Sequence, residues 1–364
     1  MAPAFDTHSR DPEDVAQVFR YFAEVETPRL GSRVYTDYCA GVADDPDLLA
    51  LACRTMPSQP PPNVLFAAVK HLLLADAERS DEARRLARFY PAVSGRPIPD
   101  ESAFPAFRAF CLAHADELDP LVRDGRTQTC VVHRAAIMLP ALGTLPRVAE
   151  AGGQVALLEI GPSLGLNLRL DHYRYVYEGG EHRLAWGAPN ASPELVCEIR
   201  GDAPPLPERL EIVARHGLEL SPIDVDDPDA VRWLRALIWP EHVERGRLMD
   251  EAIAVAERVP AEVAAGDATR DLEAAVERLP SSAPRVVFAT VALYQIDDEG
   301  QRAIHAALAR ASAAGPLDFV TMESNGRGST RVDHFTFEGG EATGSRVLAQ
   351  ADSHGRWIEW GRQA

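Results

Sequence analysis

Residues Gln154 to Asp171 read QVALLEIGPSLGLNLRLD, and this stretch decides the fold. The apolar run Val155, Ala156, Leu157, Leu158, Ile160 carries one acid, Glu159, and breaks at Gly161-Pro162-Ser163-Leu164-Gly165. A short apolar run bounded by glycine predicts a buried parallel strand, and the apolar pattern after Gly165 predicts the start of a helix. Such a turn is where open α/β sheets bind ligands. Backbone without Cβ lets a ligand come close, and the helix start offers unpaired N–H groups.

Downstream of this turn, strand and helix patterns alternate. Tyr173–Tyr177 and His182–Trp186 flank Glu178-Gly179-Gly180 and read as a hairpin. Leu195–Arg200 and Leu218–Ile223 read as strands with a helix at Pro207–His216 between them. Asp226-Asp227-Pro228 opens a helix through Ile238, and a longer one runs from Glu241 to Val259. Val263–Asp267 is a short strand ending in an acid, followed by a helix at Thr269–Leu279. Strands at Arg285–Val291 and Leu317–Met322 enclose a helix at Asp297–Ala313. Arg331–Glu338 and Ser345–Ala351 close the chain as an antiparallel pair. The alternation predicts an α/β fold with a Rossmann-like, doubly wound, mostly parallel sheet over residues 151–364.

Upstream, only helical periodicity is visible. Asp11-Pro12-Glu13 combines a capping acid, a proline in the first turn and a second acid, followed by Val15, Val18, Phe19 and Phe22 at helical spacing. Further helices are expected at Ser32–Val42, Asp47–Arg54, Asn63–Asp76, Asp81–Phe89, Phe104–Leu118 and Thr129–Leu139, the last ending at Pro140. Residues 1–150 therefore read as an all-helical N-terminal domain, with Gly152-Gly153 as the joint.

The chain of 364 residues has room for two cores. Its net charge of −18 argues against nucleic acid and against an anionic membrane surface as partners. Lys70 is the single lysine, so Schiff-base chemistry could rest nowhere else. Cys39, Cys53, Cys111, Cys130 and Cys197 are scattered without metal-ligand spacing and read as reduced thiols of a cytoplasmic protein. The N-terminus has no apolar signal region and no run reaches membrane length.

Glu159-x-Gly161-x-Ser163-x-Gly165 resembles motif I of class I S-adenosylmethionine-dependent methyltransferases, and Gly266-Asp267-Ala268 resembles the strand-end acid of that superfamily. This resemblance spans about residues 154–360. The whole chain also resembles an uncharacterised bacterial family, domain of unknown function 2332, through LLEIGPSLGLNL and ELSPIDVDDPDAVRWLRALIWPEH. The methyltransferase resemblance implies S-adenosylmethionine as cofactor, held by Glu159, Gly161, Pro162, Ser163 and Gly165, with Asp267 and Ala268 at the adenine. A strand-end acid would take the ribose hydroxyls, with Asp224 the first choice and Glu198 the second.

The pattern also departs from that superfamily. Ser163 replaces the central glycine, and Ala289–Gln295 lacks the Asn/Asp-Pro-Pro-aromatic motif of amino-group nucleic-acid methylases. A dinucleotide site is weaker still, since only G-x-x-x-G is present. Each residue has a plainer role open to it. Gly161 and Gly165 suit tight packing, Glu159 could partner a helix cap, and Asp224 and Asp267 sit where caps belong. Tyr294, Glu323 and His133 are candidate proton-handling groups, and Arg126, Gln128 and Arg134 candidate anion contacts. Trp233, Trp239 and Pro240 suit an acceptor pocket or a core. The expected function is methyl transfer to a small-molecule acceptor. The alternative is a catalytically silent protein that binds a ligand or partner on the same fold.

Overall fold

The structure, a computed structural model, describes residues 8–324 and 329–361. The chain forms two compact units. One takes in the chain up to Thr129 together with Asp227–Arg247; the other takes in Cys130–Asp226 together with the chain from Leu248 onward. The division therefore differs from a cut at residue 150 in two places. The segment 130–150 belongs with the sheet, and a segment from the middle of the chain belongs with the helices.

The described residues of the first unit carry helices and no strand. Asp11 caps Pro12–Tyr21 by accepting from the Glu13 N–H, as its sequence predicts. Arg33–Ala43, Pro61–Ala75 and Phe104–Ala113 converge on an aromatic core in which Tyr38 stacks on Phe107 at 4.1 Å and Phe66 meets both edge-on. Trp233 and Trp239 pack against this core, so of their two readings the structure supports packing. The expected helix Phe104–Leu118 is two helices, the second at Ala115–Asp124.

The second unit is built on an eleven-stranded sheet: β1 Gln154–Ile160, β2 Arg174–Gly179, β3 His182–Trp186, β4 Glu194–Ile199, β5 Glu211–Glu219, β6 Glu262–Ala265, β7 Arg285–Thr290, β8 Leu317–Ser324, β9 Thr330–Glu338, β10 Glu341–Ala351 and β11 Trp357–Trp360. Their spatial order is β3-β2-β4-β11-β10-β9-β8-β7-β1-β5-β6. Six of the ten neighbouring pairs are parallel, so the sheet is mostly parallel. Successive strands go to opposite sides of β1, which takes β5 on one flank and β7 on the other. β8 and β9 pair directly and antiparallel, with no crossover helix between them.

Alternation along β1 sends Ala156, Leu158 and Ile160 into a core with Leu272, Val276, Ile304 and Leu308 of the helices Ala268–Glu277 and Asp298–Ala311. Glu159 therefore faces the other side of the sheet. On the chain before β1, the helix Ala135–Gly143 runs through Pro140 instead of stopping there. Proline lacks the N–H that would satisfy the Ala136 carbonyl, and the buried Tyr177 hydroxyl donates to that carbonyl at 2.7 Å instead.

The largest departure from the sequence reading is β5. Residues 207–216 are not helical, and Glu211–Glu219 is a strand paired with β1 from Gln154↔Glu211 to Ile160↔Leu218. Arg215 in this strand meets Asp171 bidentately with both contacts at 2.7 Å. Gly217 is required beneath the Pro162 ring, where a Cβ would lie 2.7 Å from Pro162 Cγ. Gly152-Gly153 is likewise no free joint, since a Cβ at Gly153 would run into the Arg209 backbone.

Candidate functional site

The carboxyl ends of β1, β5 and β6 converge on the turn Gly161–Gly165. Gly161 and Gly165 adopt φ of 68° and 72°, the left-handed region that favours glycine. Ser163 enters it too, at φ 54°. That conformation is held from outside. Glu219, the last residue of β5, accepts from the Ser163 N–H through Oε2 at 2.9 Å. The Gly161 N–H donates to the Leu218 carbonyl and the Gly266 N–H to the Glu219 carbonyl, each at 3.0 Å, which ties the three strand ends together. After Gly165 the chain enters a 3-10 helix, Leu166–His172, in place of the α-helix start expected.

Glu159 is buried beneath this turn, only 1 % exposed. Its Oε1 meets Asn167 Nδ2 at 3.5 Å, while Oε2 and the Asn167 carbonyl oxygen have no hydrogen-bond partner among the described residues. Burial pushes the carboxyl up to about 8, opposed by Asn167 and by the charge of Arg134, and the Glu219 charge adds to the rise. Arg134 is buried as well, which lowers its pKa against the pull of Glu323 and Glu159. It donates to the Thr290 carbonyl at 3.0 Å and to the Ser353 carbonyl at 2.9 Å. The Cys130 thiol, pushed up to about 12 by burial and then by Glu159, is no nucleophile.

The structure brings Glu159, Gly161, Pro162, Ser163 and Gly165 into one turn and sets Asp267 and Ala268 at the end of the neighbouring β6. Asp267 caps the helix Ala268–Glu277, accepting from Thr269 N–H at 2.9 Å and Thr269 Oγ1 at 2.7 Å. The two ribose candidates are not brought there. Asp224 lies in an exposed loop beyond β5 and accepts from the Asp226 N–H. Glu198 is an exposed residue of β4 paired with Arg200 at 2.9 Å. The acid that does reach the turn is Glu219, which sequence reasoning missed because the strand was expected to run on to Ile223 and its end acid was taken as Asp224. Its signal was an apolar residue followed by an acid before Leu220-Ser221-Pro222.

Opposite β5, β7 ends in a second tight turn. Val291 has φ 51°, rare for a β-branched residue, and its N–H donates to the Met322 carbonyl at 2.7 Å. Glu323 Oε1 accepts from Ala292 and Leu293 N–H at 2.9 and 3.1 Å, while the buried Oε2 has no partner among the described residues. Burial raises the Glu323 pKa, opposed by the backbone N–H groups of Ala292, Leu293 and Tyr294 and then by Arg134. Tyr294, 63 % exposed, follows on this turn. His133 donates through Nε2–H to the Val196 carbonyl at 2.8 Å.

A separate cavity of about 530 Å³ opens near the amino ends of the parallel strands, lined by Arg147, Glu150, Asp318, His334 and Arg346 among others. There the buried Asp318 meets His334 Nε2 at 2.8 Å, and Arg346 donates to His334 Nδ1 at 3.1 Å. Among the described residues no cluster of His, Cys, Asp or Glu is placed to hold a metal ion, and no helix is long and apolar enough to cross a membrane. The five cysteines are free thiols.

This architecture defines a mixed α/β protein whose glycine turn lies where the strand order reverses. The chain belongs to the family of uncharacterized proteins conserved in bacteria, DUF2332, whose family model matches residues 16–360. No curated protein and no solved structure matches it.

Proposed function

We propose that the turn after β1 binds S-adenosylmethionine and that the protein transfers its methyl group to a small-molecule acceptor. One observation carries this reading: a buried acid, Glu159, with an unpartnered oxygen directly beneath a glycine turn at the reversal point of a parallel sheet. The order β6-β5-β1-β7-β8, parallel at every step, supports a Rossmann-like doubly wound arrangement, with β1 and β5 to β8 as its successive strands.

The residues present fit the group. Glu159 Oε2 and the Asn167 carbonyl oxygen are acceptors without donors among the described residues, and the ligand's ammonium supplies N–H donors. Gly161, Pro162, Ser163 and Gly165 offer backbone, Glu219 keeps that backbone in place, and Asp267 with Ala268 bounds the far end. Asp267 commits one oxygen to Thr269, and its other oxygen lies 3.6 Å from Arg270 Nε. When bound, the sulfonium supplies an electrophilic methyl group. The protein's own task is to position the acceptor and, where the acceptor must lose a proton, to hold that proton.

A second reading, ligand binding without turnover, is favoured by the Ala289–Gln295 sequence, which carries no acid or amide-proline motif at the end of β7. Calorimetric titration with S-adenosylmethionine and S-adenosylhomocysteine tests the first reading. Screening acceptors with methyl-labelled cofactor separates the two, since binding without turnover over a broad panel leaves the second standing.

A further inference from the structure

We propose that the acceptor side of this site takes a positively charged amine, held by Glu323 and covered by the ring of Tyr294. The inference deepens the methyl-transfer reading and rests on it.

The Glu323 carboxylate is oriented by backbone alone. Ala292 and Leu293 N–H fix Oε1, and Oε2 is left buried with no partner. An ionised carboxylate oxygen only accepts, so a donor must complete it. The turn that bears those N–H groups is held on three sides: Arg134 on the Thr290 carbonyl, Met322 on the Val291 N–H, and Glu323 itself. It keeps Val291 at φ 51°, and strain of this kind persists where the surroundings over-determine it. The same turn lies against the glycine turn, since a Cβ at Gly161 would sit 3.1 Å from Ala292 Cβ.

Charge points the same way. Glu159 feels Arg134, Glu219 and Arg169, and Arg134 in turn feels Glu323. Tyr294 presents an exposed ring beside Glu323, and an aromatic face stabilises an ammonium. The net charge of −18 favours the approach of cations over anions.

The test is calorimetry near neutral pH with three probes of one shape: benzylamine, benzyl alcohol and benzoate. Benzylamine is expected to bind about tenfold or more tighter than benzyl alcohol, and benzoate not at all. In Glu323→Gln the amide oxygen still accepts from Ala292 and Leu293, while its NH₂ replaces Oε2 and turns a donor toward the cation; the preference is expected to vanish. Tyr294→Ala, at an exposed position, is expected to weaken benzylamine severalfold. Equal affinity for amine and alcohol, a preference that survives in Glu323→Gln, or no binding of any probe overturns the proposal. Titration of the same proteins with S-adenosylhomocysteine keeps the two readings apart. Amine selectivity without nucleoside binding leaves the cation site and removes the cofactor; nucleoside binding without amine selectivity does the reverse.

Discussion

Glu219 Oε2 lies 2.9 Å from the Ser163 backbone nitrogen, so the last residue of β5 pins the turn that follows β1. Ser163 holds φ 54° without glycine's freedom. The acid supplies from outside what the residue lacks. Glu219→Ala removes this acceptor from the buried Ser163 N–H and is expected to cost about 1–3 kcal/mol. Urea unfolding measures that loss, and a change under a few tenths of a kcal/mol would separate the acid from the turn.

Glu159 makes stability depend on pH. Its carboxyl sits at about 8 in the folded chain against 4.5 for an ordinary glutamate. Between these values the folded state keeps a proton that the unfolded state has released, so stability falls as pH rises through the window and levels off above it. The slope from this group reaches at most about 1.4 kcal/mol per pH unit. Glu159→Gln is expected to flatten the profile and to be the more stable protein at alkaline pH. Urea melts at about pH 5, 7 and 8.5 decide it, and parallel profiles for the two proteins contradict it.

Gly161 and Gly152 share a left-handed backbone, φ 68° and 63°, but not surroundings. A Cβ at Gly161 meets Ala292 at 3.1 Å, whereas one at Gly152 meets nothing within 4 Å. Alanine at either position is expected to cost about 1–2 kcal/mol of backbone strain. Only Gly161→Ala is expected to abolish S-adenosylhomocysteine binding as well. Equal loss in both variants, read by calorimetry on the folded proteins, would assign the glycine to stability alone.

The cavity at the amino ends of the strands is structural in this account. Asp318, 1 % exposed, holds His334 at 2.8 Å and both of its oxygens lie 3.3 Å from Arg147 Nη1. Asp318→Asn leaves a half-buried guanidinium short of its partner and is expected to cost about 3 kcal/mol. Nucleoside affinity in the folded variant is expected to stay unchanged. Thermal unfolding and calorimetry on one preparation check both halves.

The elements legible in the sequence were those whose signal is local. The run before Gly161, the β-branched run of β7 and the Gly339-Gly340 turn between β9 and β10 each announce themselves within about ten residues. The elements that were not legible depend on partners far along the chain. Residues 207–216 read as a helix until Glu211–Glu219 is seen paired with β1 and Arg215 with Asp171, and Pro140 looks like a stop until Tyr177 is seen capping the Ala136 carbonyl. The site followed suit. Glu159, Gly161 and Gly165 were visible as a motif, whereas Glu219 was hidden by the misread strand, and Asp224 was chosen from a strand end that does not exist.

Calorimetric titration of the full chain with S-adenosylhomocysteine, at a pH just below 7 and in two buffers of different ionisation enthalpy, tests the central claim most directly. The account predicts saturable binding with a buffer-dependent heat, because the ammonium of the ligand drives the proton off Glu159, and loss of both in Glu159→Gln. A folded protein that takes up no nucleoside, or that binds it with identical heats in both buffers and undiminished affinity in Glu159→Gln, would contradict it.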